Sequence, residues 1–139
     1  MTHSSHSVSP FHWTLMLAVG AGGAIGALLR YLVIQIIPMS EGGFPWGTLA
    51  CNITGSFVLA YLAVKQMNKK RFPLSPVWTV AIMTGVIGSF TTFSTVAFEM
   101  QYLVRMKSIM ALTYLAASAG LGLIAALSGH FVAARRSAE

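Results

Sequence analysis

LSPVWTVAIMTGVIGSFTTFSTVAFEMQYLV, residues 74–104, decides how this chain is built. Its 31 residues carry a single charge, Glu99. As one straight helix they would extend about 46 Å, well past the roughly 30 Å hydrocarbon core of a bilayer. The middle of the run offers a way out. Gly85 and Gly88 are followed by seven residues, Ser89 to Thr95, that hold five hydroxyls and two phenylalanines. Ser and Thr side chains compete with the backbone for helix hydrogen bonds, and Gly loses the most conformational freedom when helical. The pattern predicts a helix broken near its centre, the plainer alternative being a kink at the glycines. Unwound backbone at membrane depth is tolerated where it is buried in protein or lines a cavity, and carbonyls freed there can hold a small cation. Gly88 and Thr91 are the candidate carbonyl donors.

The rest of the chain agrees that this run lies in a membrane. Of 139 residues 55% are hydrophobic and only 9% charged, with a mean hydropathy of +0.71. A soluble domain carries about 25% charged residues, so an ordinary soluble enzyme, a disordered segment and a disulfide scaffold are excluded. At roughly 20 apolar residues per span the length accommodates four spans and no separate catalytic domain. The expected fold is all-α, a single four-helix transmembrane domain over residues 13–136. The first span is read from Trp13 to Ile37, the second from Trp46 to Val64 and the fourth from Ile109 to Ala134. Gly22 and Gly26 form a small-xxx-small pair on the first, a signature of close helix approach. Residues 1–12 read as a disordered polar tail. That tail has no Lys or Arg, so a cleaved signal peptide is not expected, and His3, His6 and His12 are given no role. Cys51 is alone in the chain and reads as a small core residue.

The excess of nine Lys and Arg over three Asp and Glu falls at loop ends, which sets orientation and argues against nucleic acid as a partner. The side shared by both termini holds Lys65, Lys69, Lys70, Arg71, Arg135 and Arg136, six in all, against Arg30, Arg105 and Lys107 on the other. This bias favours cytoplasmic termini and is modest enough for insertion both ways.

Polar groups inside a span are costly, so their placement carries information. Thr48, Asn52 and Ser56, four residues apart, line one face of the second helix, and Tyr114, Ser118 and Gly122 line one face of the fourth. Taken singly, each hydroxyl reads best as helix–helix glue. Two such faces together with the Ser/Thr-rich break favour a polar pathway. Its groups are hydroxyl and amide donors and aromatic rings, with Glu99 the one carboxylate and Arg30 the one guanidinium among the spans. Acidic rings are usual for cations, whereas donor-rich walls suit a small anion. The positive edges of Phe90 and Phe93 can face an anion, although core packing alone would also explain them.

Three motifs, GGAIGALLRY (22–31), GTLACNITGS (47–56) and GVIGSFTTFST (85–95), with Glu99 beyond them, resemble the Fluc/CrcB fluoride channels in order and spacing. The resemblance runs from the first span to the fourth. It implies an antiparallel, dual-topology homodimer in a bacterial plasma (inner) membrane, crossed several times by each chain, with two fluoride pores and a structural Na⁺ at its centre. It implies Asn52 as the pore amide, Phe93 as an aromatic wall, and Gly88 and Thr91 as carbonyl donors to Na⁺. Thr48, Tyr114 and Ser118 would line the fluoride track with Ser94, Thr95 and Glu99 near it, and Arg30 would sit at the aqueous vestibule. The implied function is passive, electrodiffusive export of cytoplasmic fluoride, and no enzyme activity is expected. Two departures stand out. The family commonly has a second Phe where this chain has Val96, and a hydroxyl where it has Gly122. The main alternative is a small four-helix proton-coupled exporter using Glu99, and a further one is a non-transporting membrane protein held by its glycine faces.

Overall fold

The computed structural model describes residues 10–39, 43–67, 74–106 and 109–138. The described residues are helical throughout, apart from short connections. In chain order they form α1 (Pro10–Ile36), α2 (Trp46–Met67), a short α3 (Pro76–Thr79), a π-helix (Val80–Ile87), α4 (Gly88–Phe90), α5 (Ser94–Arg105) and α6 (Met110–Ala138). Among the described residues, four stretches are long and apolar enough to cross a membrane: His12–Ile36, Trp46–Met67, Pro76–Arg105 and Met110–Arg136.

Boundaries follow local chemistry. α1 begins at Pro10, whose fixed φ and missing N–H suit a first helical position. Three residues of the stretch read as a tail are therefore helical, and residues 1–9 lie outside the described residues, as do Lys69, Lys70, Arg71 and Lys107. Ser75 caps α3 by accepting from the Trp78 amide, with Pro76 following it. Gln66, at the end of α2, donates to the Leu74 carbonyl at 3.2 Å and to the Thr79 hydroxyl at 3.0 Å. The second span thus runs past Val64, and its last turn is tied to the start of the third. α6 likewise runs past Ala134 through Arg135 and Arg136, charges that suit a helix C-terminus.

Two helix pairs carry the packing: α1 lies along the π-helix, and α2 lies along α6. Glycines set how closely they approach. A Cβ on Gly22 or Gly26 would run into the carbonyl oxygens of Ala81 and Val86, and one on Gly129 into the carbonyl of Phe57. Gly22 and Gly26 therefore form the contact face of α1, and Gly85 of the π-helix opposes Gly22. Between α2, α5 and α6 sits the apolar core: Leu49, Val96, Leu103, Ala111 and Tyr114. The Phe44 ring meets Tyr114 edge-on, with centroids 5.4 Å apart. Only 11–28% of each span's most apolar window is buried within the chain. The remaining apolar side chains face outward, as lipid or another subunit requires.

Candidate functional site

α2 and α6 run in the same direction, so residues at a constant offset along them stay side by side. The sequence faces Thr48–Asn52–Ser56 and Tyr114–Ser118–Gly122 thereby become one surface with three levels, each four residues and about 6 Å apart.

At the first level Thr48 and Tyr114 are fully buried, at 1% and 0% exposure, and Glu99 of α5 joins them at 8%. The Thr48 hydroxyl donates to Glu99 Oε1 at 2.7 Å, and the Tyr114 hydroxyl donates to Oε2. Both oxygens of the carboxyl group accept, which is what keeps a buried acid tolerable.

At the second level the Asn52 amide bridges to the segment between α4 and α5. Its Nδ2 donates to the Thr92 carbonyl at 3.0 Å, and the Thr92 amide donates to its Oδ1 at 2.8 Å. This pair explains the local backbone. Thr91 is extended at φ −76° and ψ 153°. The Thr92 amide, which in a continuous helix would bond the Gly88 carbonyl, goes to Asn52 instead. The Thr95 amide goes to the Thr92 hydroxyl at 3.1 Å rather than to the Thr91 carbonyl. Thr92 Oγ1 also meets the hydroxyls of Ser94 and Thr95 at 3.1 and 3.0 Å. Ser94 and Thr95 thus serve the turn.

Above this turn lies a cavity of about 400 Å³ lined by Asn52, Ser56, Gly88, Thr91, Thr92, Phe93, Val96, Leu115, Ser118 and Ala119. No lining residue is charged. Asn52, Phe93, Ser118, Gly88 and Thr91, singled out from the sequence, meet here, whereas Thr48, Tyr114 and Glu99 form the separate buried cluster one turn away. Arg30 is half-buried on α1 and is not part of this lining. Phe93 is 80% exposed, so its ring forms an open edge of the cavity. Phe98 lines a different small cleft with Gln101, Tyr102 and Arg105, and does not replace an aromatic at Val96.

The Ser118 hydroxyl is buried without a hydrogen-bond partner, although Tyr114 and its hydroxyl lie beside it. Asn52 keeps one amide hydrogen after bonding Thr92. These are donors that no protein acceptor consumes. Thr92 was not among the residues picked from the sequence, because hydroxyls in a Ser/Thr run look alike until one of them is seen to be 8% exposed and bonded on three sides. Ser56 was visible as part of the polar face of α2, and its position in the cavity wall emerges only from the packing.

Comparison with known proteins matches residues 17–130 to the family described as CrcB-like protein, Camphor Resistance (CrcB), a range that includes every residue of the cavity and of the buried cluster. The fluoride-specific ion channel FluC of Rhizobium meliloti (strain 1021) is 42% identical over 116 residues, covering 82% of this chain and 91% of that protein. The fluoride-specific ion channel FluC 2 of Geobacillus kaustophilus (strain HTA426) is 43% identical over 119 residues, covering 84% and 91%. FluC of Methanopyrus kandleri is 40% identical over 114 residues, covering 82% and 85%.

Proposed function

Because this chain belongs to the CrcB family, we propose that it is a fluoride channel of a bacterial inner membrane that lets the ion leave the cytoplasm down its electrochemical gradient. Four apolar spans and relatives named as ion channels make it a multi-pass membrane protein with no enzymatic role. The observation that carries the proposal is the uncharged cavity of about 400 Å³, walled by hydroxyls, an amide and one exposed phenyl ring. Fluoride holds its water tightly, and a pore must offer donors in exchange. The Asn52 amide, the Ser118 hydroxyl and the electropositive edge of Phe93 do so without a fixed cation that would trap the ion. Thr48, Tyr114, Ser94 and Thr95 hold this wall in shape, and Arg30 raises the local concentration of anions.

The open side of the cavity at Phe93 and the thin burial of the spans support an antiparallel homodimer in which a second copy closes each of two pores. The carbonyls of Gly88 and Thr91 fit a structural Na⁺ on chemical grounds. The Thr92 and Thr95 amides that would bond these carbonyls in a continuous helix are directed to side chains, and the Gly88 oxygen keeps only a long contact of 3.4 Å from the Thr91 hydroxyl, so both oxygens stand as hard acceptors at a helix discontinuity. When bound, Na⁺ would supply positive charge that holds such carbonyls together. Glu99 is held by two hydroxyls away from the cavity, which favours a channel over a proton-coupled exporter.

The deciding experiment is fluoride efflux from liposomes containing the purified protein, followed with a fluoride electrode and repeated with chloride. Efflux should begin when a potassium ionophore relieves the electrical potential, need no proton gradient, and leave chloride inside. Release that depends on an imposed proton gradient would refute the channel in favour of exchange at Glu99.

A further inference from the structure

The third level of the α2–α6 surface pairs a hydroxyl with an absence. Ser56 faces Gly122, where a Cβ would come 3.8 Å from the Ser56 Oγ. Ser56 lines the same cavity as Asn52 and Ser118. Resting on the fluoride reading, we propose that Ser56 is an anion-contacting residue of the conduction path, supplying from α2 the donor that α6 lacks at Gly122.

The other hydroxyls of these two helices show why. Thr54 returns its proton to the Ala50 carbonyl at 2.7 Å, Thr113 to the Met110 carbonyl at 3.0 Å, and Ser128 to the Ile124 carbonyl at 2.8 Å. Thr48 donates to Glu99. Back-bonding to the preceding turn is the ordinary resting place of a Ser or Thr in a helix. Ser118 is buried with no partner, Ser56 makes no such bond to its own helix among the described residues, and both are at the cavity. A hydroxyl kept off its own helix inside an apolar medium retains a donor for whatever enters. Ser118 and Ser56 stand on successive levels about 6 Å apart along the helix axes. A small anion released by the Asn52–Ser118 level would find its next donor at Ser56, with no cationic side chain to hold it.

Ser56→Ala, Gly122→Ser and the double variant test this in the liposome efflux assay, each first checked for wild-type elution and thermal stability. Ser56→Ala should slow fluoride release about tenfold, the factor that 1.4 kcal/mol corresponds to. Adding Gly122→Ser should restore it, because the 3.8 Å gap admits a hydroxymethyl group that returns a donor to the same level from the facing helix. Wild-type flux through Ser56→Ala overturns the proposal. A loss that Gly122→Ser fails to restore overturns it too, since the role of Ser56 is then packing alone. A wild-type protein that releases no fluoride refutes the channel reading, and this inference with it.

Discussion

Asn52→Asp changes one atom type and separates the two roles of this side chain. The amide makes two hydrogen bonds to Thr92, one as donor and one as acceptor, at 3.0 and 2.8 Å. An ionised aspartate still accepts from the Thr92 amide but cannot donate to its carbonyl, so one bond is lost and a carboxylate oxygen faces a carbonyl oxygen. Losing one partner of a buried polar group costs about 1–3 kcal/mol, here softened because the cavity is open on one side. The larger effect is on the ion. A fixed negative charge about 4 Å from a passing anion raises its energy by about 4 kcal/mol at an effective dielectric constant of 20. At about 1.4 kcal/mol per decade, fluoride flux should fall by roughly a thousandfold. Efflux with a fluoride electrode reads the second effect, and a thermal melt of the same preparation in detergent reads the first. The expected result is a folded, slightly less stable protein that barely conducts. Folded Asn52→Asp protein conducting within about twofold of wild type would refute the argument, because no anion path can then run beside this amide.

Tyr114→Phe removes a donor from a buried carboxylate, and hydrogen bonds to charged groups are worth about 1.5–3 kcal/mol. The variant should melt at lower temperature, whereas an unchanged melt would mean that Glu99 finds another partner. Gly26→Ala places a Cβ against the Val86 carbonyl and should force α1 away from the π-helix, while Gly120→Ala, with nothing within 4 Å, should elute and melt like wild type. Overpacking of this kind costs about 1–3 kcal/mol, and equal stability of the two variants would contradict the helix contact. From the proposed homodimer with Na⁺ held by the carbonyls of Gly88 and Thr91, the expectation is that exchanging Na⁺ for a large organic cation during purification weakens dimer stability or fluoride flux. Unchanged values of both after thorough removal would count against a Na⁺ site.

Local composition made much of this legible. A chain with 9% charged residues has one place to go, and four apolar runs give four spans. The Gly22–Gly26 pair announced a close contact, and the structure supplies its partners, Ala81 and Val86. Periodicity gave each polar face, because residues four apart share a side of any helix. Helix ends were read less well. Gln66 extends α2 by reaching across to Leu74 and Thr79, a bond to residues that a local pattern does not contain.

The tertiary structure decided what each polar residue does. Sequence spacing says that Thr48, Asn52 and Ser56 share a face; it does not say what lies opposite. The partners are 51 residues away for Thr48 and 40 for Asn52, and they are fixed only once α2 lies parallel to α6 and α5 closes over both. The same face therefore divides into a hydroxyl spent on Glu99, an amide that gives one hydrogen to Thr92 and keeps the other, and a serine left facing the cavity. The sequence determined that this protein lives in a membrane and carries polar groups into it. Which of those groups remain available to an ion was decided by packing, because a donor is available only when no protein acceptor stands within hydrogen-bond reach.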